Sequence, residues 1–252
     1  MRSAILMTSL FLAFNCANGA QISPANVAVF NGEILPETVD QFLLEYGSRN
    51  DLAEFSVASQ GGEVLSALRL AKWIKSKRLN VRVRQLCYSA CANYLFIAGE
   101  KKFIDSGAFV AWHGDAEQTD FRELVVRYED LLRRQADGRK LGPEEIIYLR
   151  ENELKYSGIT KAQREQAVFF RDLGVNPMTS RYGQEPVKYA SEAWSFTVRA
   201  MNLLGIRNVF ADRDYGEARY FQRAGPASLI MNKGPLLVFD SLDGQKISPL
   251  DQ

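Results

Sequence analysis

The stretch Glu54-Phe55-Ser56-Val57-Ala58-Ser59-Gln60-Gly61-Gly62-Glu63-Val64-Leu65-Ser66-Ala67-Leu68 decides the fold class. Its first five residues read as a strand. From Glu63 to about Lys77 the period changes: Val64, Leu65, Leu68, Ala71 and Ile74 recur along one helical stripe. A strand that passes through a Gly-Gly turn into an amphipathic helix is the first half of a βαβ unit.

The same alternation extends on both sides. Val27-Ala28-Val29-Phe30 reads as a strand, and Pro36 to Tyr46 as a helix with Val39, Phe42, Leu43 and Tyr46 on one face. Val81-Arg82-Val83 reads as a strand and Ala90 to Ala98 as a helix. Gly99 to Lys102 makes a turn, and Ala108 to Trp112 is a further strand. Strands alternating with helices of this length predict an α/β fold with a parallel sheet.

Beyond this core the character changes. From Asp120 to about Leu173 charges are dense and the helical period dominates, with Leu124, Tyr128, Leu131, Ile146, Ile147, Leu149 and Leu154 as the apolar positions. Asp137-Gly138 and Leu141-Gly142-Pro143 divide this region into two helices. It reads equally as an appended arm at about 118–173 or as a solvated helical cover. Trp194 to Leu204 reads as a helix ended by Gly205. Leu229-Ile230-Met231 and Leu236-Leu237-Val238-Phe239, around Asn232-Lys233-Gly234-Pro235, read as a C-terminal hairpin. No repeat, low-complexity tract or Pro/Gly/Ser-rich linker divides residues 21–252, so one domain is expected.

Residues 1–20 have the order of a secretory signal peptide: Arg2, an apolar run from Ala4 to Phe14, then small residues at Ala17, Gly19 and Ala20. The run falls short of the ~20 residues that span a bilayer. Cleavage after Gly19 or Ala20 and a periplasmic location are the expectation. Phe14-Asn15 before Cys16 argues against a lipoprotein site there. The formal charge of +1 over 252 residues suggests no nucleic-acid surface. With Cys16 removed, Cys87 and Cys91 remain. In an exported chain they are either a disulfide or two small buried residues. Two thiols and one histidine fall short of a structural metal site, and no cofactor is expected.

His113 is the only histidine. It is therefore the only side chain whose ordinary ionisation suits a general base near neutral pH. Ser89, in Cys87-Tyr88-Ser89-Ala90-Cys91, stands where a strand becomes a helix, and a base at His113 would activate its hydroxyl. The N–H groups of Gly61 or Gly62 and of Ala90 are candidate donors to an oxyanion. Taken singly, Ser89 is as well explained by an N-cap and Gly61-Gly62 by a turn. In order on successive βα units, the three are parts of an acyl-transfer site.

From about Val57 to Gly114 the chain resembles the Clp-protease/crotonase superfamily, and most closely its exported bacterial Clp-protease-like branch. Ser59-Gln60-Gly61-Gly62 is similar to the family's Ser-Pro-Gly-Gly loop, with Gln60 in place of proline. Cys87-Tyr88-Ser89-Ala90-Cys91 is similar to its nucleophile motif, and Ala111-Trp112-His113-Gly114 to its histidine motif. The segment Trp194-Ser195-Phe196-Thr197 to Leu204-Gly205-Ile206 is similar to a late segment of the family. The resemblance implies a ββα spiral core, with Ser89 as nucleophile, His113 as base and then acid, and Gly61 and Ala90 as oxyanion donors. The family's third residue is an aspartate ahead of that late segment. Glu185 stands nearest to it here, with Asp172 and Glu192 as rivals; a backbone carbonyl orienting His113 would leave a Ser-His dyad.

The implied function is an exported serine hydrolase, a peptidase, acting on a peptide or protein substrate. Related folds form trimers or larger rings, so a homo-oligomer is expected; nothing in the chain indicates an ATPase partner. The alternatives are a non-catalytic Clp-like binding or assembly module and, against an exported location, a crotonase-type acyl-CoA enzyme.

Overall fold

The computed structural model describes residues 24–184, 193–224, 236–241 and 246–247. The expected signal segment, Glu185, Glu192 and the hairpin arm Leu229-Ile230-Met231 lie outside these residues. The protein is α/β. Strands β1 (Val27–Asn31), β2 (Glu54–Ser59), β3 (Asn80–Tyr88), β4 (Lys102–Ile104) and β7 (Val209–Phe210) lie side by side in that order. β5 (Phe109–Ala111) adds to β3, and every pairing in this six-stranded sheet is parallel.

Between the first three strands run α1 (Pro36–Tyr46) and α2 (Val64–Ser76), as the period predicts. Phe42 of α1 meets the rings of Phe30, Phe55 and Trp73 at centroid distances of 5.7, 5.6 and 5.3 Å. This aromatic cluster joins both helices to β1 and β2. Each fully buried side chain of this size contributes about 1.5–3 kcal/mol relative to exposure. The Glu63 carboxylate caps α2 by accepting from the N–H groups of Leu65 and Ser66 at 2.8 and 2.6 Å.

β3 is longer than the Val81–Val83 strand that the alternation indicates, and it changes partner along its length. Val81–Val83 pairs with β4, and Leu86–Tyr88 with β5. Opposite β2, Val57 faces Val83 but Ser59 faces Cys87, so β3 bulges by two residues around the exposed Arg84 and Gln85. A bulge bends a strand and re-aims the residues after it. Asp105, between β4 and β5, holds this fork: its carboxylate accepts from Arg82 at 2.8 Å and pairs with Arg84 at 3.1 Å.

After Ser89 the chain enters a helix whose Cys91–Phe96 portion is π-helical, with all six residues buried. α3 (Thr119–Ala136) and α4 (Pro143–Leu173) are the two charged helices. Tyr128 stacks on Tyr156 at 4.2 Å, and Arg134 pairs with Glu145 at 2.6 Å. Only the second half of α4 enters the core, through Ile159, Ala162, Gln166, Phe169 and Phe170.

The C-terminal part departs from expectation. Trp194–Phe196 is a strand, β6, and the helix α5 begins only at Val198 and runs to Leu203. All three residues of β6 are fully buried, and Trp194 exchanges two backbone hydrogen bonds with Trp112 (2.7 and 2.9 Å). Trp194 and Phe196, two residues apart, share one face of a strand and Ser195 is buried on the other. Aromatic residues favour strands, and tertiary pairing overrides the helical reading. Thr197 then caps α5 by accepting from Ala200 N–H. β8 (Leu237–Phe239) pairs parallel with β6 and antiparallel with β9 (Lys246–Ile247). The arm expected to pair with this segment as a hairpin, Leu229-Ile230-Met231, lies outside the described residues. A short helix, α6 (Ala218–Arg223), precedes that segment. Among the described residues no helix is long and apolar enough to cross a membrane.

Candidate active site

Three neighbouring parallel strands, β2, β3 and β5, end on one side of the sheet, and the turn after each carries one part of the site. Open parallel sheets place their ligand crevices at such carboxyl ends. Here the crevice is a cleft of about 760 Å³. Its lining includes Ser59, Gly61, Ser89, Asn93, His113 and Asp115.

Ser89 leaves β3 in the left-handed region, at φ 60°. Its N–H donates to the Ala111 carbonyl at 3.1 Å, and its own carbonyl accepts from Asn93 N–H at 2.9 Å as the helix starts. A non-glycine residue in this region costs roughly 1–3 kcal/mol and persists only where its surroundings hold it. The sharp strand-to-helix turn lifts the hydroxyl off the sheet into the cleft. Cys87 and Cys91 form a disulfide across this turn, with Cα atoms 5.2 Å apart and both residues fully buried.

The Ser89 Oγ lies 2.6 Å from Nε2 of His113. His113 follows β5, the strand paired with the end of β3, so adjacent strands deliver the two groups side by side. The Tyr88 ring lies 5.0 Å from the imidazole. Both Ser89 and His113 are half-buried, open enough for a substrate to reach them.

Gly61 closes the third side at φ 92°. A Cβ there would stand 2.6 Å from the Tyr88 carbonyl oxygen, 2.7 Å from the Ser89 Cβ and 2.9 Å from the Ala90 nitrogen. Only glycine permits this approach, which sets the Gly61 backbone beside Ser89 and Ala90 as an oxyanion site requires. The Gly61 N–H itself donates to the buried Ser59 hydroxyl at 3.1 Å. A rotation of the Ser59 side chain would release it.

Among the candidates for a third residue, Asp172 does not join the site. It ends α4, half-exposed, beside Arg171 at 3.7 Å, and its carbonyl accepts from Lys75 of α2. The end of α4 is tied to the far end of α2, away from the turns that carry Ser89 and His113. Glu185 and Glu192 lie outside the described residues.

Two residues that the sequence reading passes over belong to the site. Asn93 stands four residues after Ser89 and so one helical turn on. Its Nδ2 donates to the Gly114 carbonyl at 2.6 Å, while its buried Oδ1 has no partner among the described residues. Asp115, two residues after His113, is fully buried at its side chain. Its carboxylate accepts from Gln166 Nε2 at 2.8 Å, from Glu117 N–H at 2.7 Å and from the Ser180 hydroxyl, and it pairs with Arg181 at 3.4 Å. Tyr94 completes the cluster by donating to Gln166 Oε1, and burial holds its phenol well above the ordinary range. The proximity of an acid to the one histidine, and of an amide to the serine one turn on, were the available signals. Among the described residues no three His, Cys, Asp or Glu side chains converge as a metal site would need.

No family model matches the chain, and no curated protein matches it.

Proposed function

We propose that the protein is an exported serine hydrolase of the Clp-protease/crotonase type, acting on peptides. The observation that carries this reading is the 2.6 Å contact between Ser89 Oγ and His113 Nε2, made at a strained turn beside a glycine backbone. The change of partner along β3, from β4 to β5, supports the reading of a ββα spiral core. Export rests on the order of residues in 1–20, and self-association on the family resemblance.

In this reading Ser89 Oγ attacks the carbonyl carbon of the scissile amide while His113 Nε2 takes the hydroxyl proton. The tetrahedral oxyanion accepts from the N–H groups of Ala90 and Gly61, once Ser59 turns away. One such donor is worth ~3 kcal/mol. The C–N bond breaks as the imidazolium returns the proton to the leaving amine. Water, deprotonated by His113, then hydrolyses the acyl-serine ester, and the serine recovers its proton.

The second reading, a binding or assembly module in the same fold, is favoured by the Ser59 hydroxyl occupying the Gly61 N–H. Fluorophosphonate labelling read by mass spectrometry separates the two. The hydrolase acquires a single adduct on Ser89, and Ser89→Ala acquires none while melting like the wild type. Loss of such a nucleophile can lower turnover by ~10⁶. Equal labelling of wild type and Ser89→Ala, or none of either, sinks the hydrolase reading.

A further inference from the structure

The turn after His113 is anchored at two consecutive residues. Asn93 reaches from the helix that Ser89 opens and grips the Gly114 carbonyl at 2.6 Å. Its backbone N–H bonds the Ser89 carbonyl, so one residue ties the nucleophile turn to the histidine turn. The Gly114 acceptor requires an N–H₂ group on that side, which assigns the amide orientation. Asp115, the next residue, is then fastened to α4 by Gln166 and to the segment after α4 by Ser180 and Arg181.

A carboxylate with no solvent exposure is costly unless its lone pairs are filled. Here three neutral donors and one guanidinium fill them, from three separate parts of the chain. If the only task were to pin a loop, an amide or hydroxyl would do so without burying a charge. Asp115 stands within about 7 Å of His113 along the chain. We propose that Asp115 is the positioning residue of the site: it sets the His113 turn against α4 and supplies the buried negative charge that faces the imidazole as it becomes protonated. This rests on the hydrolase reading for its chemical purpose, but the anchoring of Asp115, two residues after His113, does not.

The groups facing Asp115 are Gln166 and, through it, Tyr94, together with Ser180 and Arg181; those facing His113 include Ser89 and the Tyr88 ring. Nearby negative charge favours the imidazolium, and its removal favours the neutral ring.

The experiment uses the untagged protein, whose single histidine gives one imidazole signal by NMR. The His113 titration and the pH profile of fluorophosphonate labelling are measured for wild type and Asp115→Asn, with thermal melting as the control for folding. Asp115→Asn is expected to lower the His113 midpoint by about one pH unit and to slow labelling at pH 7 at least tenfold. A merely structural aspartate would change the melting temperature and leave the midpoint where it was; that result overturns the proposal. If Asp115→Asn does not fold, Arg181→Gln decides. Removing this partly exposed cation leaves the carboxylate less compensated and should raise the His113 midpoint, and an unchanged midpoint overturns the proposal. A wild type that takes no fluorophosphonate defeats the hydrolase reading alone, because the NMR titration still reports on Asp115 and His113.

Discussion

Among single residues of the candidate site, Gly61 is held by tight constraints. The three atoms that crowd its absent Cβ belong to the backbone or to the Ser89 Cβ, so none can swing aside as the tip of a flexible side chain would. Its φ of 92° adds strain for any L side chain. Gly61→Ala should therefore displace the Ser89 turn. We expect destabilisation of about 1–3 kcal/mol and a loss of roughly 10²-fold or more in labelling rate, the scale of one oxyanion donor. Thermal melting and labelling kinetics check the two effects separately. A lowered melting temperature with wild-type labelling would reduce Gly61 to a packing position.

Among the elements, the junction between β3 and the helix after it is spanned by the disulfide. Cys87 is the penultimate residue of β3 and Cys91 opens the π-helical portion, so the bond clamps the two elements across Ser89. The loop it closes is short, so its effect on the unfolded chain is small, below the ~3 kcal/mol of a 15-residue loop. Its larger effect is on position. Cys87→Ser/Cys91→Ser should lower the melting temperature only modestly and slow labelling of Ser89 disproportionately, as the φ 60° conformation loses its support. Alkylation of the oxidised protein under denaturing conditions should modify neither Cys87 nor Cys91. Two modified thiols without prior reduction would show that no such clamp exists.

For the molecule as a whole, a buried cation in the sheet has a consequence for stability. Lys102 of β4 is 6% exposed, and its Nζ donates to the carbonyls of Gly99 and Arg207 at 2.8 and 3.0 Å. Burial pushes its pKa down to about 8. The unfolded chain holds this proton to about pH 10.4. Below pH 8 both states are charged and the burial cost is present in full. Between about pH 8 and 10 the folded state releases the proton first, so the unfolded state binds more protons and stability rises with pH. The gain is no more than about 3 kcal/mol, since the two carbonyls favour the ammonium. Above pH 10 the tyrosines reverse the trend: burial pushes Tyr215 up to about 12 and raises Tyr220 further, so the unfolded chain loses those protons first. Urea midpoints at pH 8 and pH 10 should show the rise in the wild type and its absence in Lys102→Met.

Legible in the amino-acid order alone were the α/β class, the parallel order of the early strands, both helices at 36–46 and 64–76, and the adjacency of Ser89 to His113. Those features are local or nearly so. Period, turn glycines and βα alternation are written within a few residues of where they act, and parallel strands one unit apart become neighbours almost by necessity. The features settled by folding involve partners far apart in the chain. Trp194–Phe196 is a strand because Trp112, over eighty residues earlier, takes its backbone groups. β3 divides between two strands because of a bulge that no periodicity announces. Asp172 is separated from the site by the docking of α4 on α2, while Asp115 is drawn in by Gln166 and Ser180, residues that in the sequence carry no mark of a common site. A buried carboxylate needs donors from wherever the fold can bring them, and only the folded chain shows where those are.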